Sequence, residues 1–254
     1  MKKFLLVVCL VLSLCACSKK DQDQFASFRG QSETAIYNGG EHALVKSDYS
    51  LAAKYFEGLD ALYPFGAYSQ RAQLEVIYAY YKSNDTPSAI AAADRYVHLY
   101  PQAPRVDYAY YMRGILGFTQ GLSWLQKRVG VDPASRDISS LHQSFSSFSQ
   151  LARLFPSSAY RQDSIIRMAY IRNLIARRQL EIASYYMDHK AYISAINRAN
   201  DIVLHMSQSD STEKALALMV KAYRALSLSQ KATDTLALLR FNYPNTREAR
   251  LFKK

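Results

Sequence analysis

The feature that most constrains the fold is a Tyr-Pro or Phe-Pro pair that recurs after stretches with a helix-like pattern. These pairs end at Pro64, Pro101, Pro156 and Pro244. The first interval is 37 residues (101 − 64), and the last, 88 residues (244 − 156), leaves room for one further unit ending at Ser207. Because proline cannot continue a helix and disfavours helix in the residue before it, each pair is expected to end one. The sequence therefore predicts a chain of repeated helical units.

Two further columns of residues keep the same spacing. A small residue stands twelve positions before each of these four prolines and before Ser207. A tyrosine stands twenty-one positions before three of the same five residues. The small residues are Ala52, Ala89, Ser144, Ala195 and Ala232, and the tyrosines are Tyr80, Tyr186 and Tyr223. A small residue lets two helices approach closely, and a ring fills the gap beside them. The pattern resembles the tetratricopeptide repeat, so the predicted fold is all-α, a right-handed superhelical solenoid of about five tetratricopeptide-like helix pairs.

The predicted helices follow from this spacing. They run over about 33–45, 48–62, 67–83, 86–99, 104–120, 137–154, 158–189, 191–206, 211–227 and 229–242. The third interval is 55 residues (156 − 101) and therefore carries an insertion, over 117–137, which includes the only tryptophan, Trp124. Gly121, Gly130 and Pro133 within it predict a long ordered loop there.

The amino terminus, MKKFLLVVCLVLSLCACS, is typical of an export signal. Two lysines precede an apolar run that is too short to remain as a membrane-spanning helix. The segment from Leu14 to Cys17 resembles a bacterial lipobox with Cys17 as the lipidated residue, and acyl chains on that cysteine would give a stable anchor. Ser18 in the next position implies, by the same resemblance, sorting to the outer membrane with the protein facing the periplasm. The alternative is ordinary secretion after Ala16, which would leave a free thiol.

The predicted organisation has three parts. A signal peptide covers 1–16, the lipidated cysteine and a flexible tether cover 17–31, and the repeat solenoid covers 32–254. The formal charge of the whole chain is +11, and removal of two lysines and no acid with the signal leaves +9 (30 − 21).

Composition argues against most catalytic and metal sites. All three cysteines lie within the first 17 residues, so disulfides, cysteine zinc sites and a cysteine nucleophile are excluded from the rest of the chain. The five histidines show no metal-ligand spacing, and no glycine-rich phosphate loop or serine nucleophile motif is present. We therefore expect a non-catalytic protein with no cofactor and no metal.

A candidate peptide-binding surface lies around the stretch LYPFGAYSQ and the helix that follows it. First helices of stacked pairs line the concave face of a solenoid, and tyrosine suits a ring that must both pack and meet a polar partner. The residues assigned to this surface are Tyr63, Phe65, Tyr68, Arg71, Leu74, Tyr78, Tyr81 and Tyr111. Tyr37 and Tyr108 lie on neighbouring first helices, whereas Val76, Ile77 and Tyr80 form the opposite, core-type stripe. The alternative is that these tyrosines are packing residues, as aromatic stripes at helical spacing usually are.

A second candidate surface is basic. Five arginines fall between Arg161 and Arg178 with a single acid, Asp163, and Arg198 follows in the next repeat. Arginine suits ion pairing with carboxylates across an interface because its planar fork can bind both oxygens. Acidic protein surfaces, anionic lipid headgroups and lipopolysaccharide are candidate partners, and nucleic acid is a poor one in the predicted compartment. The alternative is a solvated positive face.

Four blocks of the sequence resemble a known family. They are LYPFGAYSQRAQLEVIYAYYK, DRYVHLYPQAPRVDYAYYMRG, GVDPASRD and FSSFSQLARLFPSSAY. Together with the lipobox they are similar to the tetratricopeptide lipoproteins of the β-barrel assembly machine in Gram-negative outer membranes. The resemblance extends from about residue 28 to residue 244.

This resemblance implies partners and residue roles. The family binds the periplasmic domains of the barrel subunit BamA, contacts BamC, with BamE as a further candidate, and recognises C-terminal signals of unfolded outer-membrane proteins. Signal recognition falls to the N-terminal repeats, which hold the tyrosine surface described above. The BamA contact falls to the C-terminal repeats, and the residues assigned to it are Arg172, Arg177 and Arg198.

Two other functions compete with this one. A tetratricopeptide lipoprotein could serve as the pilotin of a secretin, which would share the anchor, the repeats and the compartment. A peptidoglycan-processing enzyme, or its regulator, could also use a helical solenoid, but we find no catalytic glutamate in a cleft motif.

Overall fold

The computed structural model describes residues 25–119 and 138–252. The chain divides into two compact units, Met1–Asp85 and Thr86–Lys254. All regular elements in the described ranges are helical, and none of these helices is long and apolar enough to cross a membrane. The predicted signal peptide, Cys17, and residues 120–137 of the predicted insertion lie outside the described residues.

The first unit contains three α-helices that pack in chain order. They are α1, Glu33–Val45; α2, Tyr49–Leu62; and α3, Ser69–Lys82. Ser32 and Asp48 cap the first two, each accepting a hydrogen bond from a backbone N–H in the first turn. Their apolar faces meet in a core whose largest fully buried side chains are Ile36, Phe56, Leu59 and Ile77.

A short 3-10 helix, Ala26–Phe28, precedes α1 within the stretch predicted as tether. Phe28 is only 4% exposed and packs on Tyr55 of α2, with ring centroids 4.8 Å apart. The last residues before α1 are therefore packed on the first unit, and burial of the Phe28 ring stabilises this packing.

The second unit contains eight further α-helices. They are α4, Thr86–Leu99; α5, Val106–Thr119; α6, Ser139–Leu154; α7, Arg161–Asp188; α8, Tyr192–His205; α9, Thr212–Ala225; α10, Ser229–Asn242; and α11, Arg247–Arg250. Each of α4 to α10 packs on the next along the chain, and the long α7 also contacts α9. The short α11 packs on α9 and brings Phe252 into the core.

The prediction of an all-helical fold built from consecutively packed helix pairs is confirmed. Each of the ten predicted helices corresponds to a helix of the structure, with ends that differ by three residues or fewer. The sequence pattern missed α11 and the 3-10 helix, because elements of three or four residues are too short to show a hydrophobic period.

The repeated tyrosines coincide with the turns that follow α3, α7 and α9. Tyr80, Tyr186 and Tyr223 each accept a hydrogen bond through the backbone carbonyl from the residue five positions later. The residue before that donor has a positive φ: 62° at Asn84, 60° at Lys190 and 57° at Ser227. This is the geometry of a Schellman turn, which satisfies the last carbonyls of the first helix. The tyrosine position therefore marks where the first helix of a pair ends.

The small residues that recur twelve positions before each unit's end lie in the helix interfaces, as predicted. All five members are buried, and Ser144 on α6 also donates a hydrogen bond of 2.6 Å to the carbonyl of Gly114 on α5. A Cβ atom at Gly114 would overlap the ring of Phe148, so the glycine is required for this close approach.

Candidate functional site

The turn between α2 and α3 is held against the chain that leads into α1. The Tyr63 hydroxyl donates a hydrogen bond of 2.7 Å to the Gln31 carbonyl, and the backbone N–H of Tyr68 donates to a carboxylate oxygen of Glu33 at 2.5 Å. Gly66 lies so close to the same carboxylate that a Cβ atom would overlap it. The absence of a side chain at Gly66 is therefore required for this contact. Fixed in this way, the turn presents Phe65 with its side chain fully exposed, at 100%.

A stacked pair of tyrosines lies beside this turn. Tyr37 of α1 is 4% exposed, and its ring stacks on that of Tyr68 with centroids 4.6 Å apart and 23° between the planes. Phe56 tilts against Tyr37 from α2, at 5.9 Å. The Arg71 guanidinium lies 5.1 Å from the centroid of the Tyr37 ring. The aromatic pair and the cation therefore form one cluster.

The Tyr37 hydroxyl donates a hydrogen bond of 3.1 Å to Glu41. Burial, followed by the negative charge of Glu41, raises the pKa of Tyr37 well above its usual value. The ring beneath Arg71 therefore stays neutral at any pH the protein would meet.

The rest of α3 corrects one predicted residue. Leu74 is only 2% exposed and belongs to the core, not to the exposed face. The reason is that α3 is buried over a wide arc that also includes Val76 and Ile77, as predicted for those two, so only a narrow strip is left. Tyr78 is half-buried on that strip, edge-to-face with Tyr49 at 6.2 Å.

Two further side chains complete this strip. The Lys82 ammonium lies 5.4 Å from the Tyr49 ring and 6.0 Å from the Tyr78 ring. Tyr81 is half-buried one position before it. The strip thus continues the aromatic and cationic character of the Tyr37–Arg71 cluster along α3.

Tyr111 lies in the second unit, in an aromatic arrangement of the same design. It stacks on Tyr160 at 4.7 Å and 20°, and Phe148 tilts against it at 6.0 Å. Tyr111 follows Tyr37 by 74 residues, twice the repeat, and in each unit the second tyrosine follows the phenylalanine by twelve. At the position that Arg71 holds in the first unit, three residues after the second tyrosine, the second unit has Asp163. The two clusters share their rings and differ in charge.

Asp163 is fully engaged within the unit. It accepts a hydrogen bond of 2.8 Å from the Tyr111 hydroxyl and pairs with Arg167 at 2.5 Å. Burial alone would raise the pKa of Asp163, but the hydrogen bonds from Arg167 and Tyr111 outweigh it and lower the pKa below its usual value. Burial and the same carboxylate raise the pKa of Tyr111. This network holds a charged carboxylate beside a neutral phenol.

The predicted basic residues differ in their partners. Arg172 on α7 donates to the side-chain oxygen of Gln208 at 2.8 Å, and Arg198 on α8 donates to that of Gln179 at 3.2 Å. Both partners are neutral amides, so neither positive charge is cancelled by an ion pair within the described residues. Arg177 is exposed on α7.

Other arginines of the same helix are paired with acids. Arg167 pairs with Asp163, and Arg178 pairs with Glu181 at 3.3 Å. The sequence showed five arginines on this stretch but could not separate the neutralised from the unneutralised ones.

Several supporting residues escaped the sequence prediction. Gln31 and Glu33 hold the exposed turn, and Gln179 and Gln208 hold the two arginines. One signal could have revealed the tyrosine clusters, because Tyr-x-x-Gly at Tyr37 and Tyr111 precedes the repeated Phe-to-Tyr spacing of twelve. Within the described ranges no group of three or more His, Cys, Asp or Glu side chains could hold a metal ion.

The paired helices with Schellman turns and buried small residues define a helical-repeat protein of the tetratricopeptide class. A family model described as YfiO, outer membrane lipoprotein, matches residues 29–238. The chain therefore belongs to the YfiO/BamD family.

Curated relatives agree with this assignment. The chain is 34% identical over 249 residues to the outer membrane protein assembly factor BamD of Neisseria meningitidis serogroup B, covering 97% of this chain and 93% of that protein. It is 33% identical over 242 residues to the protein of the same name in Haemophilus influenzae, covering 95% and 90%. The solved structure of MamA is 14% identical to this chain with a TM-score of 0.37, covering 87% of this chain and 96% of that one.

Proposed function

We propose that this chain is an outer-membrane protein assembly factor that works by binding and not by catalysis. Its membership of the family and the name shared by its relatives support this role. In this proposal Cys17 carries the lipid, and the protein lies on the periplasmic face of the outer membrane. Two surfaces then bind two kinds of partner.

The first surface binds C-terminal signals of unfolded outer-membrane proteins. It comprises Tyr63, Phe65, Tyr68, Arg71, Tyr78 and Tyr81. The observation that carries this part is Phe65, a fully exposed ring on a turn fixed by Gln31 and Glu33. An exposed aromatic side chain that loses little entropy on binding is what an interface anchor requires. Tyr111 could add only a ring contact in the second unit, since Asp163 holds its hydroxyl.

The second surface binds an acidic face of the periplasmic domains of BamA. Arg172 and Arg198 support this part because each is fixed by a neutral amide and keeps its charge available. Arg177 extends the same surface along α7. BamC and BamE are further proposed partners. Electrostatic complementarity of this kind supplies orientation and fast association more than raw affinity.

The experiment that tests both surfaces is photo-crosslinking in cells. Tyr78 and Arg198 are each replaced by a photoreactive residue, and adducts are identified by mass spectrometry. We expect barrel precursors from position 78 and BamA from position 198. Phe241, 84% exposed on α10, serves as a control position that should capture neither. Capture of a secretin at both positions would instead favour the pilotin role.

A further inference from the structure

The Arg71 guanidinium is positioned to receive an anion. Arg71 is exposed and, within the described residues, makes neither a hydrogen bond nor an ion pair. Its guanidinium lies against the face of the Tyr37 ring, 5.1 Å from the ring centroid. We propose that Arg71 binds the terminal α-carboxylate of the client chain, which names the group recognised at the first surface and rests on the function proposed above.

The support beneath Arg71 fixes the cation in place. Tyr37 is 4% exposed and is held between the rings of Tyr68 and Phe56. A guanidinium that lies against an immobile ring loses little further freedom when it binds. Its N–H groups form a planar fork whose spacing matches the two oxygens of a carboxylate. Arg71 is therefore preorganised for an anion of this shape.

The neighbouring rings favour a chain terminus over an acidic side chain. Tyr68 and Arg71 both contact Tyr37, so an anion on Arg71 lies within one residue's reach of the Tyr68 ring. A C-terminal aromatic residue carries its carboxylate and its ring on the same Cα atom and can meet both groups. Glu41 and Glu75 also act electrostatically on Tyr37. Their negative charge disfavours a ligand with several acids more strongly than one with a single carboxylate.

The second unit provides an internal comparison. It repeats the ring arrangement in Tyr111, Tyr160 and Phe148, but Asp163 stands where the first unit has Arg71. That aspartate is ionised and paired with Arg167, so it would repel an incoming carboxylate. The carboxylate receptor is therefore confined to the first unit, although the aromatic framework occurs in both.

The test uses the full-length lipoprotein and a fluorescent peptide with alternating aromatic residues and a C-terminal phenylalanine. The peptide is made with a free carboxylate and as the C-terminal amide, and binding is followed by fluorescence anisotropy. We expect the amide to bind about tenfold more weakly, the effect of losing one charge-assisted contact. In Arg71→Gln the free acid should fall to the affinity of the amide, while the amide should bind as before.

Two controls separate this inference from folding effects and from the proposed function. Arg167→Gln alters the corresponding region of the second unit and should preserve the difference between the two peptides. Circular dichroism and the melting temperature verify that Arg71→Gln is folded. Equal binding of acid and amide to the native protein would overturn the inference and leave the proposed function intact. Absence of binding by either peptide would overturn both. The inference would also be overturned if an amidated peptide with an internal aspartate bound as tightly as the peptide with the free C-terminal carboxylate.

Discussion

At the scale of single residues, the turn that carries Phe65 is held by two partners far away in the sequence, Gln31 and Glu33. Tyr80, Tyr186 and Tyr223 were predicted to fill gaps between helices, and in the structure the backbone carbonyl of each also closes a turn. Phe65 and Arg71 were assigned to the candidate surface from the stretch LYPFGAYSQ and the helix that follows it. The residues that hold the turn of Phe65, Gln31 and Glu33, could not be predicted, since contacts across more than thirty residues leave no local signal.

The Schellman turns provide a prediction about stability. Lys190 and Ser227 occupy left-handed backbone conformations that cost energy for any residue with a Cβ atom. Lys190→Gly and Ser227→Gly should each raise the free energy of unfolding by about 0.5–1 kcal/mol. Urea denaturation followed by circular dichroism would measure this. Ala237→Gly, at an exposed position inside α10, should instead lower it by about 1 kcal/mol. A loss of stability in all three variants would contradict the assignment.

The carboxylate at Asp163 predicts a pH dependence. Because the pKa of Asp163 is lower in the folded protein than in the unfolded chain, its stabilising effect is present above the unfolded pKa. That effect is lost as the pH falls through the folded pKa. Asp163→Asn should therefore be less stable than the native protein at pH 7, and the difference should shrink towards pH 3. Thermal unfolding across this range is the measurement. Tyr111→Phe, which removes one of the two hydrogen bonds to Asp163, should show a smaller change of the same sign, and a difference independent of pH would contradict the mechanism.

At the scale of helices, the repeat spacing was enough to place every long element. Tyr-Pro and Phe-Pro pairs end helices for a local reason, so their effect can be predicted without knowledge of the fold. Leu74 was assigned wrongly because its surroundings are not local. The sequence analysis placed Leu74 on the face opposite Val76 and Ile77, but packing covers a wider arc of α3 than one apolar stripe requires.

The contact between α5 and α6 depends on the missing side chain of Gly114. Gly114→Ala should lower the free energy of unfolding by about 1–2 kcal/mol, because strain against Phe148 exceeds the gain in helix propensity. Chemical denaturation would measure this loss. The matched test is a double-mutant cycle with Phe148→Leu, in which the smaller side chain should relieve part of the cost. Strictly additive effects would show that the two residues do not interact.

At the scale of the whole chain, the division into two units predicts separable unfolding. Phe56 and Phe148 hold equivalent positions, one in each unit, and both are fully buried. Phe56→Ala should cost about 3–5 kcal/mol and should expose the amides of α1 to α3 to hydrogen exchange at lower denaturant concentrations than those of α8 to α10. Phe148→Ala should reverse this order. Hydrogen exchange followed by mass spectrometry distinguishes the two patterns, and simultaneous exposure of all helices in both variants would show a single cooperative unit.

The packing of Phe28 has a mechanical consequence. Any pulling force transmitted along the chain from its amino terminus meets Phe28 before it meets Gln31 and Glu33. Because the Phe28 ring is buried against Tyr55, this contact must break before the force reaches Gln31 and Glu33. The turn that carries Phe65 can therefore keep its conformation while force acts on the residues before Phe28.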